Sequence, residues 1–247
     1  MRIALYADLH ANREALTACF EHARAQGAQF EVFLGDFVGY GADPAWVVDT
    51  VRSRVAKGAA AVRGNHEAAV VGRVRQTFNP EVDMAIAWTR RQLDPAQLGF
   101  LSQLPITVEK MDRLYVHANA HAPLAWGYIH GPLEAAQSLC ATACRLTFCG
   151  HVHEPALYHL GPDRRVSGFV PVPSHAIPLS SSRRWLAIVG SAGQPRDGNP
   201  AACYAIYDTA SNEYTLFRVP YDVEAAARKI REAGLPERFS SRLEASL

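Results

Sequence analysis

The sequence predicts an α/β fold in which layers of sheet and helix pack on one another. Short apolar runs alternate with amphipathic helical segments through about residue 150, a pattern typical of strand–helix units. After Pro155 the apolar runs are short and separated by turn-forming residues, which indicates further strands. The 247 residues are 49% hydrophobic, enough for one substantial core. We therefore predict one domain over residues 1–247.

The first part of the chain is predicted to alternate between strand and helix. Predicted strands cover residues 2–7, 31–34, 59–62, 114–116 and 146–149. Asparagine or aspartate oxygens cap helix N-termini, and proline suits the first helical turn. Such signals predict helix starts at Asn12, Asp43-Pro44, Asn79-Pro80, Asp94-Pro95 and Gly131-Pro132.

The last part is predicted to form a second, largely antiparallel sheet. Its apolar runs cover residues 185–189, 203–207 and 214–219. Residues 222–234 then predict an amphipathic helix that ends at a glycine, followed by a short charged tail. Residues 171–184, with their prolines and three consecutive serines, predict a mobile loop.

Composition and charge narrow the function classes. Lys and Arg number 25 against 24 Asp and Glu, a net charge of +1, so no bulk field favours nucleic acid or anionic membrane. Only five apolar residues precede Asp8, too few for a signal peptide or a membrane span, so we expect a cytoplasmic protein. The five cysteines contain no C-x-x-C, and we expect free, mostly buried thiols.

Five short polar segments each follow an apolar run. They are Asp8-x-His10, Gly35-Asp36, Gly64-Asn65-His66-Glu67, Val116-His117 and Gly150-His151-Val152-His153. Strand ends converge on a crevice in layered α/β folds, so we expect these segments to meet in one site. Their carboxylates, amide and imidazoles form an oxygen and nitrogen set that suits Mn, Fe, Co, Ni or Zn.

The spacing within the segments has a physical reason. Alternation along an extended turn points the first and third side chains of D-x-H or H-x-H the same way, so each pair can chelate from one piece of backbone. Two ions roughly 3.5–4 Å apart need a bridging ligand, and the carboxylate of Asp36 is available for it. Glycines at 35, 64 and 150 allow sharp turns or close approach to a metal.

In this order the five segments resemble the calcineurin-like metallophosphoesterase superfamily, whose pattern is D-x-H, G-D, G-N-H-[DE], H and G-H-x-H. Residues 35–41 and 190–197 further resemble one bacterial branch of small phosphoesterases. The resemblance implies a two-sheet sandwich flanked by helices, four layers in the order α-β-β-α, with metal ligands on loops at one end. Ala11 departs from a glycine that is common in the first motif.

The resemblance also implies roles for single residues. Asp8, His10 and His153 would hold one metal, Asn65, His117 and His151 the other, and Asp36 would bridge them. Two divalent ions are expected, Mn²⁺ first, with Fe, Zn, Ni or Co as alternatives. The residues expected to act in catalysis are His66, as general acid or orienting group, with Asp36 and Asn65. Glu67 is predicted to hold His66 in the useful tautomer, and Asn12 to lie behind the ligands, beside the first motif.

The implied reaction is hydrolysis of a phosphate monoester, diester or nucleotide phosphoanhydride by a metal-bridging hydroxide. Arg196 is the candidate for binding the substrate phosphate, because a guanidinium grips two oxygens at once. Tyr40 either stacks on a substrate base or covers the core, and the core is favoured. His121 and His130 either line the pocket or are loop residues, and loop residues are favoured; His22, His159 and His175 are interpreted as structural.

Two other functions stay open at this point. The same fold can serve as a non-catalytic, protein-binding scaffold, but loss of ligands or of His66 would be expected there, and all are present. A nuclease would be expected to carry a basic groove or an accessory nucleic-acid domain, and the sequence offers neither. The expected partner is a phosphorylated small molecule or nucleotide, with no membrane and no dedicated nucleic-acid region.

Overall fold

The structure is a computed structural model that describes residues 1–72 and 79–246. Among these residues lie twelve strands: β1 Arg2–Tyr6, β2 Phe30–Phe33, β3 Ala60–Ala61, β4 Thr107–Lys110, β5 Arg113–Val116, β6 Leu146–Cys149, β7 Ala156–Leu160, β8 Val166–Phe169, β9 Ala176–Pro178, β10 Arg184–Ile188, β11 Ala202–Asp208 and β12 Glu213–Val219. The helices are α1 Arg13–Ala25, α2 Pro44–Ala56, α3 Asn65–Val70, α4 Pro80–Gln92, α5 Pro95–Gln103, α6 Pro132–Cys140, α7 Val223–Glu232 and α8 Glu237–Ala245.

The strands form two mixed sheets, as the fold-class prediction required. Sheet I has the order β3-β2-β1-β11-β12-β9, and sheet II has the order β4-β5-β6-β10-β7-β8. In sheet I, β1, β2 and β3 are parallel. In sheet II, β5, β6 and β10 are parallel. The parallel strands β1, β2 and β3 form one side of sheet I, with β3 at its edge, whereas β5, β6 and β10 lie in the interior of sheet II.

Both faces of the central strands are covered, which fixes the layers. In β1, Ile3 and Leu5 belong to the core between the sheets, while Ala4 and Tyr6 belong to the core under the helices. Helix α1 packs on β11 and β12, and α6 packs on sheet II. Because strand side chains alternate between faces, a strand buried on both sides is apolar throughout.

The predicted helix starts are confirmed by their hydrogen bonds. Asn12 accepts from the backbone N–H of Ala15, Asn79 from Val82 and Asp94 from Gln97. Asp43 and Gly131 also occupy N-cap positions before proline. The five cysteines are free, and all but Cys140 are buried, as expected. None of the described helices is long and apolar enough to cross a membrane.

The prediction of a separate C-terminal antiparallel sheet is wrong. β7, β8 and β10 join sheet II, and β9, β11 and β12 join sheet I. Strand β11 is buried on both faces, which requires a position in the interior of a sheet, and it pairs there with β1. The loop predicted for residues 171–184 contains β9, which pairs with β12.

The charged tail is also different from the prediction, because it forms helix α8. Phe239 and Leu243 lie one turn apart and are buried against Tyr40 and helix α7. The charged residues of this segment occupy the remaining faces, and that composition suggested a tail. Helix α8 thus closes over the loop that follows β2.

Candidate metal centre

The sandwich brings all the predicted ligands to one end. Asp8 and His10 follow β1, Asp36 follows β2, and Asn65 opens α3 after β3. Sheet II contributes His117 after β5 and the pair His151 and His153 after β6. Each of these side chains is at least 95% buried. Hydrogen bonds join the loops directly, from the Asp8 N–H to the Gly35 carbonyl (3.0 Å) and from the Gly150 N–H to the His117 carbonyl (2.9 Å).

The loops carry these ligands in a left-handed backbone, not in the extended turn that we predicted. Positive φ angles occur at Asp8 (52°), His10 (45°), Asp36 (53°), His151 (69°) and His153 (68°). A side chain in this region crowds its own backbone at a cost of roughly 1–2 kcal/mol per residue. Strain of this kind is retained where the surrounding structure holds a functional geometry.

The predicted role of the glycines is confirmed as close approach. A Cβ on Gly64 would collide with the carboxylate of Asp36, and a Cβ on Gly150 with that of Asp8. At Gly35, φ is +90°, and a Cβ would lie 2.7 Å from Nδ1 of His117. Side chains at these three positions would displace the ligands.

One group of potential ligands contains Asp8, His10 and His153, whose donor atoms lie within 4.8 Å of one another. The Nε2 atoms of His10 and His153 are 3.0 Å apart, and an oxygen of Asp8 is 3.4 Å from Nε2 of His153. Asp8 is held in turn by the backbone N–H of His151, at 2.9 Å.

A second group contains Asp36, His117 and His151, again within 4.8 Å. Nε2 of His117 lies 3.0 Å from Nδ1 of His151 and 3.0 Å from the amide oxygen of Asn65. Oδ2 of Asp36 lies 3.3 Å from His117 and 3.9 Å from Nε2 of His10 in the first group. Asp36 therefore stands between the two groups. The two histidines of the H-x-H pair, His151 and His153, lie in different groups.

Backbone carbonyls orient the four imidazoles. His10, His117 and His153 donate from Nδ1 to the carbonyls of Val38 (3.1 Å), Leu34 (2.8 Å) and Gln194 (2.6 Å). His151 donates from Nε2 to the carbonyl of Trp126, at 2.8 Å. The opposite nitrogen of each ring thereby faces the centre of the site. Such outer hydrogen bonds fix the tautomer in metal sites.

This arrangement fits a cation. The facing nitrogens of His10 and His153 are both on the side opposite to their N–H groups, so two lone pairs meet at 3.0 Å. Burial lowers the pKa of both rings, so both are neutral near pH 7. Without a positive charge between them this contact is repulsive. Neutral imidazole nitrogen with carboxylate oxygen suits the first-row transition metals.

The carboxylates of the site shift the pKa of His117 in the second group. Burial disfavours the charged ring of His117, but Asp36, Asp8 and the Leu34 carbonyl together raise its pKa to about 9. Burial also disfavours ionised Asp36, yet the neighbouring histidines hold its pKa well below the ordinary value. Burial raises the pKa of Asp8 to about 8. A divalent ion replaces such protons on binding.

Glu67 holds the backbone of the loop that carries Asp36. Its carboxylate accepts backbone N–H groups from Asp36 (2.8 Å), Phe37 (2.6 Å), Val38 (3.2 Å) and Gly64 (2.8 Å). Both oxygens thus hold the loop that carries Asp36, and the support of the His66 ring by Glu67 stays a prediction. Burial and the charge of Asp36 raise the pKa of Glu67 to about 7, against the effect of these N–H donors.

His66 lies beside the ligands. Its Nε2 is 4.0 Å from Oδ2 of Asp36, and its ring stands edge-on to that of His10 at 4.9 Å between centroids. The ring packs so closely on Gly39 that a Cβ there would collide with it. Tyr40 covers the ring at 4.7 Å and belongs to the buried core, as favoured from the sequence.

Arg196 lies next to a candidate ligand, because its backbone N–H donates to the carbonyl of His153 at 3.4 Å. Its guanidinium lies 5.7 Å over the ring of Tyr40 and donates to the side chain of Gln194 at 3.0 Å. Its buried Nε atom has no hydrogen-bond partner. Asn12, which lies below, donates to the carbonyl of Gly193 at 2.8 Å and to the hydroxyl of Tyr221 at 3.2 Å. Asn12 thereby joins the loop that follows β1 to the loop that carries Arg196.

Sequence reasoning missed Tyr128. Its ring stacks on His151 at 4.2 Å with an interplanar angle of 17°, and on His130 at 5.2 Å. Burial raises the pKa of Tyr128, and the positive charge of Arg196 opposes this shift, so the two side chains lie near each other. No motif marks this position in the sequence. His130 and His121 are exposed residues outside the regular helices and strands, in agreement with their interpretation as loop residues.

Comparison with known proteins agrees with this geometry. Residues 1–212 match the calcineurin-like phosphoesterase superfamily domain. An uncharacterised protein of Methanocaldococcus jannaschii is 32% identical over 98% of this chain and 96% of its own length. The crystal structure of a metallophosphoesterase from Sphaerobacter thermophilus is 36% identical, with a TM-score of 0.88 over 100% of this chain and 99% of that one.

A hypothetical protein from Pyrococcus horikoshii OT3 shares the fold at 17% identity, with a TM-score of 0.80 over 100% of this chain and 98% of that chain. The likeness in sequence therefore extends over the segments that carry the site, and the likeness in structure over the whole chain. The protein belongs to the calcineurin-like phosphoesterase superfamily and is a phosphoesterase.

Proposed function

We propose that this protein hydrolyses phosphate esters with two divalent metal ions held at the end of the sandwich. The observation that carries the proposal is the position of Asp36, whose Oδ2 lies 3.3 Å from His117 and 3.9 Å from His10. One carboxylate oxygen thus faces both ligand groups, as a bridging ligand must. We further propose that residues 1–247 form one domain that carries this site.

In this proposal each ion has its own protein ligands. Asp8, His10 and His153 hold the first, and Asn65, His117 and His151 hold the second. Mn²⁺ is the ion we expect, and Fe, Zn, Ni or Co fit the same donors. Bound ions would supply Lewis acidity and activate a water molecule near neutral pH.

The remaining polar side chains bind and orient the substrate. Burial lowers the pKa of His66, so its ring is neutral near pH 7 and offers an N–H hydrogen bond to a phosphoryl or leaving-group oxygen. Arg196 offers its unpaired Nε–H to the same phosphate. Asn65 presents its amide between His117 and the substrate.

The proposed substrates are phosphate mono- or diesters, or nucleotide phosphoanhydrides. Tyr40 and Tyr128 lie beside His10 and His151, and Arg196 lies over the ring of Tyr40, an arrangement that suits a phosphorylated small molecule or nucleotide. Aromatic rings beside a guanidinium bind flat organic groups and phosphate together. We propose that the protein acts in the cytoplasm.

Hydrolysis of bis-p-nitrophenyl phosphate and p-nitrophenyl phosphate by metal-stripped protein, with and without Mn²⁺, tests the proposal. We expect turnover only with metal, and its loss in Asp36→Asn, which keeps the side-chain shape but removes the bridging charge. Asp49→Asn is the matched control, because Asp49 is a surface residue of α2 with 52% side-chain exposure.

Metal-dependent turnover that survives in Asp49→Asn and is lost in Asp36→Asn supports the proposal. The ratio of the hydrolysis rates of bis-p-nitrophenyl phosphate and p-nitrophenyl phosphate then separates diesterase from monoesterase activity. Binding of fewer than two Mn²⁺ per chain at saturation, measured by calorimetry, overturns the two-metal assignment. Absence of turnover with Mn, Fe, Zn, Ni and Co by a folded protein would favour the scaffold alternative.

A further inference from the structure

Residues 191–196 are bound to the loop that follows β1. The hydroxyl of Ser191 donates to the carbonyl of Asp8 at 2.8 Å, and the N–H of Gly193 donates to the same carbonyl at 2.9 Å. A Cβ on Gly193 would collide with the carbonyl oxygen of Leu9, so the two stretches of backbone are in close contact. This segment therefore has a fixed position relative to a candidate metal ligand.

Gln194 lies in this segment and is 1% exposed. Its backbone N–H donates to the hydroxyl oxygen of Ser191 at 2.8 Å, and its backbone carbonyl accepts from Nδ1 of His153 at 2.6 Å. The N–H of Arg196 in turn donates to the carbonyl of His153 at 3.4 Å. The backbone of the segment thus holds a second candidate ligand, and these contacts do not involve the side chain of Gln194.

The side chain of Gln194 contacts a different group, the guanidinium of Arg196. Its Oε1 atom accepts a hydrogen bond from Nη2 of Arg196 at 3.0 Å. The guanidinium also lies 5.7 Å from the ring centroid of Tyr40, and this centroid is 4.5 Å from that of His10 and 4.7 Å from that of His66. Gln194 and Tyr40 therefore both hold the guanidinium next to residues of the site.

The chemistry of the contact between Gln194 and Arg196 favours anion binding. An amide oxygen is neutral, so it orients a guanidinium without cancelling the positive charge, as a carboxylate would. Within the part of the chain that the structure describes, the buried Nε atom of Arg196 has no hydrogen-bond partner. The guanidinium is thus tied at Nη2 and keeps a donor for an anion. A side chain that is ordered before binding loses less entropy when the ligand arrives.

We propose that Gln194 is a positioning residue for Arg196 and thereby sets the affinity of the site for the substrate phosphate. The inference rests on the proposed function, in which Arg196 binds this phosphate. Gln194 acts only through the orientation of one guanidinium. Loss of its side chain should weaken phosphate binding and leave Mn²⁺ binding unchanged, because the backbone carbonyl of Gln194 holds His153.

Binding of methylphosphonate to the Mn²⁺-loaded protein tests the inference, because this probe resembles a phosphoryl group and resists hydrolysis. Gln194→Met keeps the length of the side chain and removes the acceptor. We expect the dissociation constant of methylphosphonate, measured by calorimetry, to rise about 3–10-fold, the effect of ordering one long side chain. Arg196→Met should raise it at least about tenfold, because a charge-assisted hydrogen bond is lost.

A double-mutant cycle shows whether Gln194 acts through Arg196. In the Arg196→Met background, Gln194→Met should change the methylphosphonate constant by less than about twofold, since no guanidinium is left to orient. An equal effect of Gln194→Met in both backgrounds overturns the positioning role. Gln29→Met is the matched control: the side-chain oxygen of Gln29 also accepts an N–H, that of Arg2 at 3.2 Å, but Arg2 lies at the end of β1 opposite to Asp8.

Kinetics and metal binding separate a positioning role from a merely structural one. In Gln194→Met, the KM for p-nitrophenyl phosphate should rise by the same factor as the methylphosphonate constant, with kcat within about twofold of wild type, because the guanidinium binds the phosphate before and during reaction. A fall in the Mn²⁺ affinity of Gln194→Met, or a fall in kcat with unchanged KM, would mean that the loop is distorted, and either result overturns the inference.

The outcomes also separate this inference from the proposed function. If wild type hydrolyses p-nitrophenyl phosphate with Mn²⁺ and Gln194→Met binds methylphosphonate as wild type does, only the positioning role is refuted. If wild type shows no metal-dependent turnover, the proposed function fails, and additivity or coupling in the double-mutant cycle still decides the role of Gln194.

Discussion

Replacing Glu67 with glutamine is the sharpest test of how the centre is held. Glu67 is fully buried, and its two oxygens accept four backbone N–H groups, three of them from residues 36–38. A glutamine amide has one oxygen and one NH₂ group, so about two buried N–H groups lose their acceptor and face a donor. Each such loss costs about 1–3 kcal/mol, so we expect destabilisation of about 2–6 kcal/mol.

The same change should weaken metal binding, because the loop that loses its support carries Asp36. Loss of an outer hydrogen-bond partner typically lowers metal affinity by about 10–100-fold. Urea unfolding of the metal-free protein measures the first effect, and Mn²⁺ titration followed by calorimetry measures the second. Glu232→Gln is the control, since Glu232 is 67% exposed on its side chain and should unfold within about 0.5 kcal/mol of wild type.

The experiment also distinguishes two roles for Glu67. If Glu67 oriented His66, as the sequence suggested, Glu67→Gln would lower kcat and leave the Mn²⁺ titration unchanged. If it holds the loop of Asp36, the Mn²⁺ concentration needed for half-maximal activity rises. Unchanged urea midpoint and unchanged Mn²⁺ affinity together would refute the loop-holding role.

Three further predictions follow from close contacts and charge. Gly150→Ala pushes a methyl group against Asp8, so calorimetric Mn²⁺ affinity should fall at least about tenfold; unchanged affinity would contradict the close approach. Gly39→Ala pushes one into His66, so kcat should fall while two Mn²⁺ still bind; an unaltered kcat would count against His66 in catalysis. The pKa of His117 is raised to about 9 in metal-free protein, so Mn²⁺ binding near pH 7.5 should release protons, which calorimetry in buffers of different ionisation enthalpy detects. Mn²⁺ affinity should increase up to about pH 9. A pH-independent affinity would show that His117 does not carry this proton.

The positions of the ligands were predictable because parallel strands impose them. β1, β2 and β3 run parallel in one sheet and β5 and β6 in the other, so polar residues that follow these strands meet at one end. The rule needs only the strand pattern and the residues after each strand. The strands after Pro155 were harder to assign to a sheet. A short apolar run such as β7 can pair in either sheet, and only burial in three dimensions decides.

The surroundings of the ligands were not predictable in the same way. The carbonyls of Val38, Leu34, Gln194 and Trp126 orient the imidazoles, but every residue has a carbonyl and no sequence pattern marks these four. Glu67 was assigned to its sequence neighbour, whereas its hydrogen bonds reach a loop about 30 residues away. Tyr128 likewise contacts His151 only through the fold.

The metal centre is held against strain, and this explains why its supports matter. Five of the seven proposed ligands adopt left-handed backbone, which at roughly 1–2 kcal/mol each amounts to about 5–10 kcal/mol. That sum is comparable with the whole free energy of unfolding of a typical domain, about 5–15 kcal/mol. Buried hydrogen bonds hold the loops in this shape, those of Glu67 at the loop of Asp36, and three glycines allow the ligands to approach closely. Catalytic geometry and folding stability therefore depend on the same few contacts.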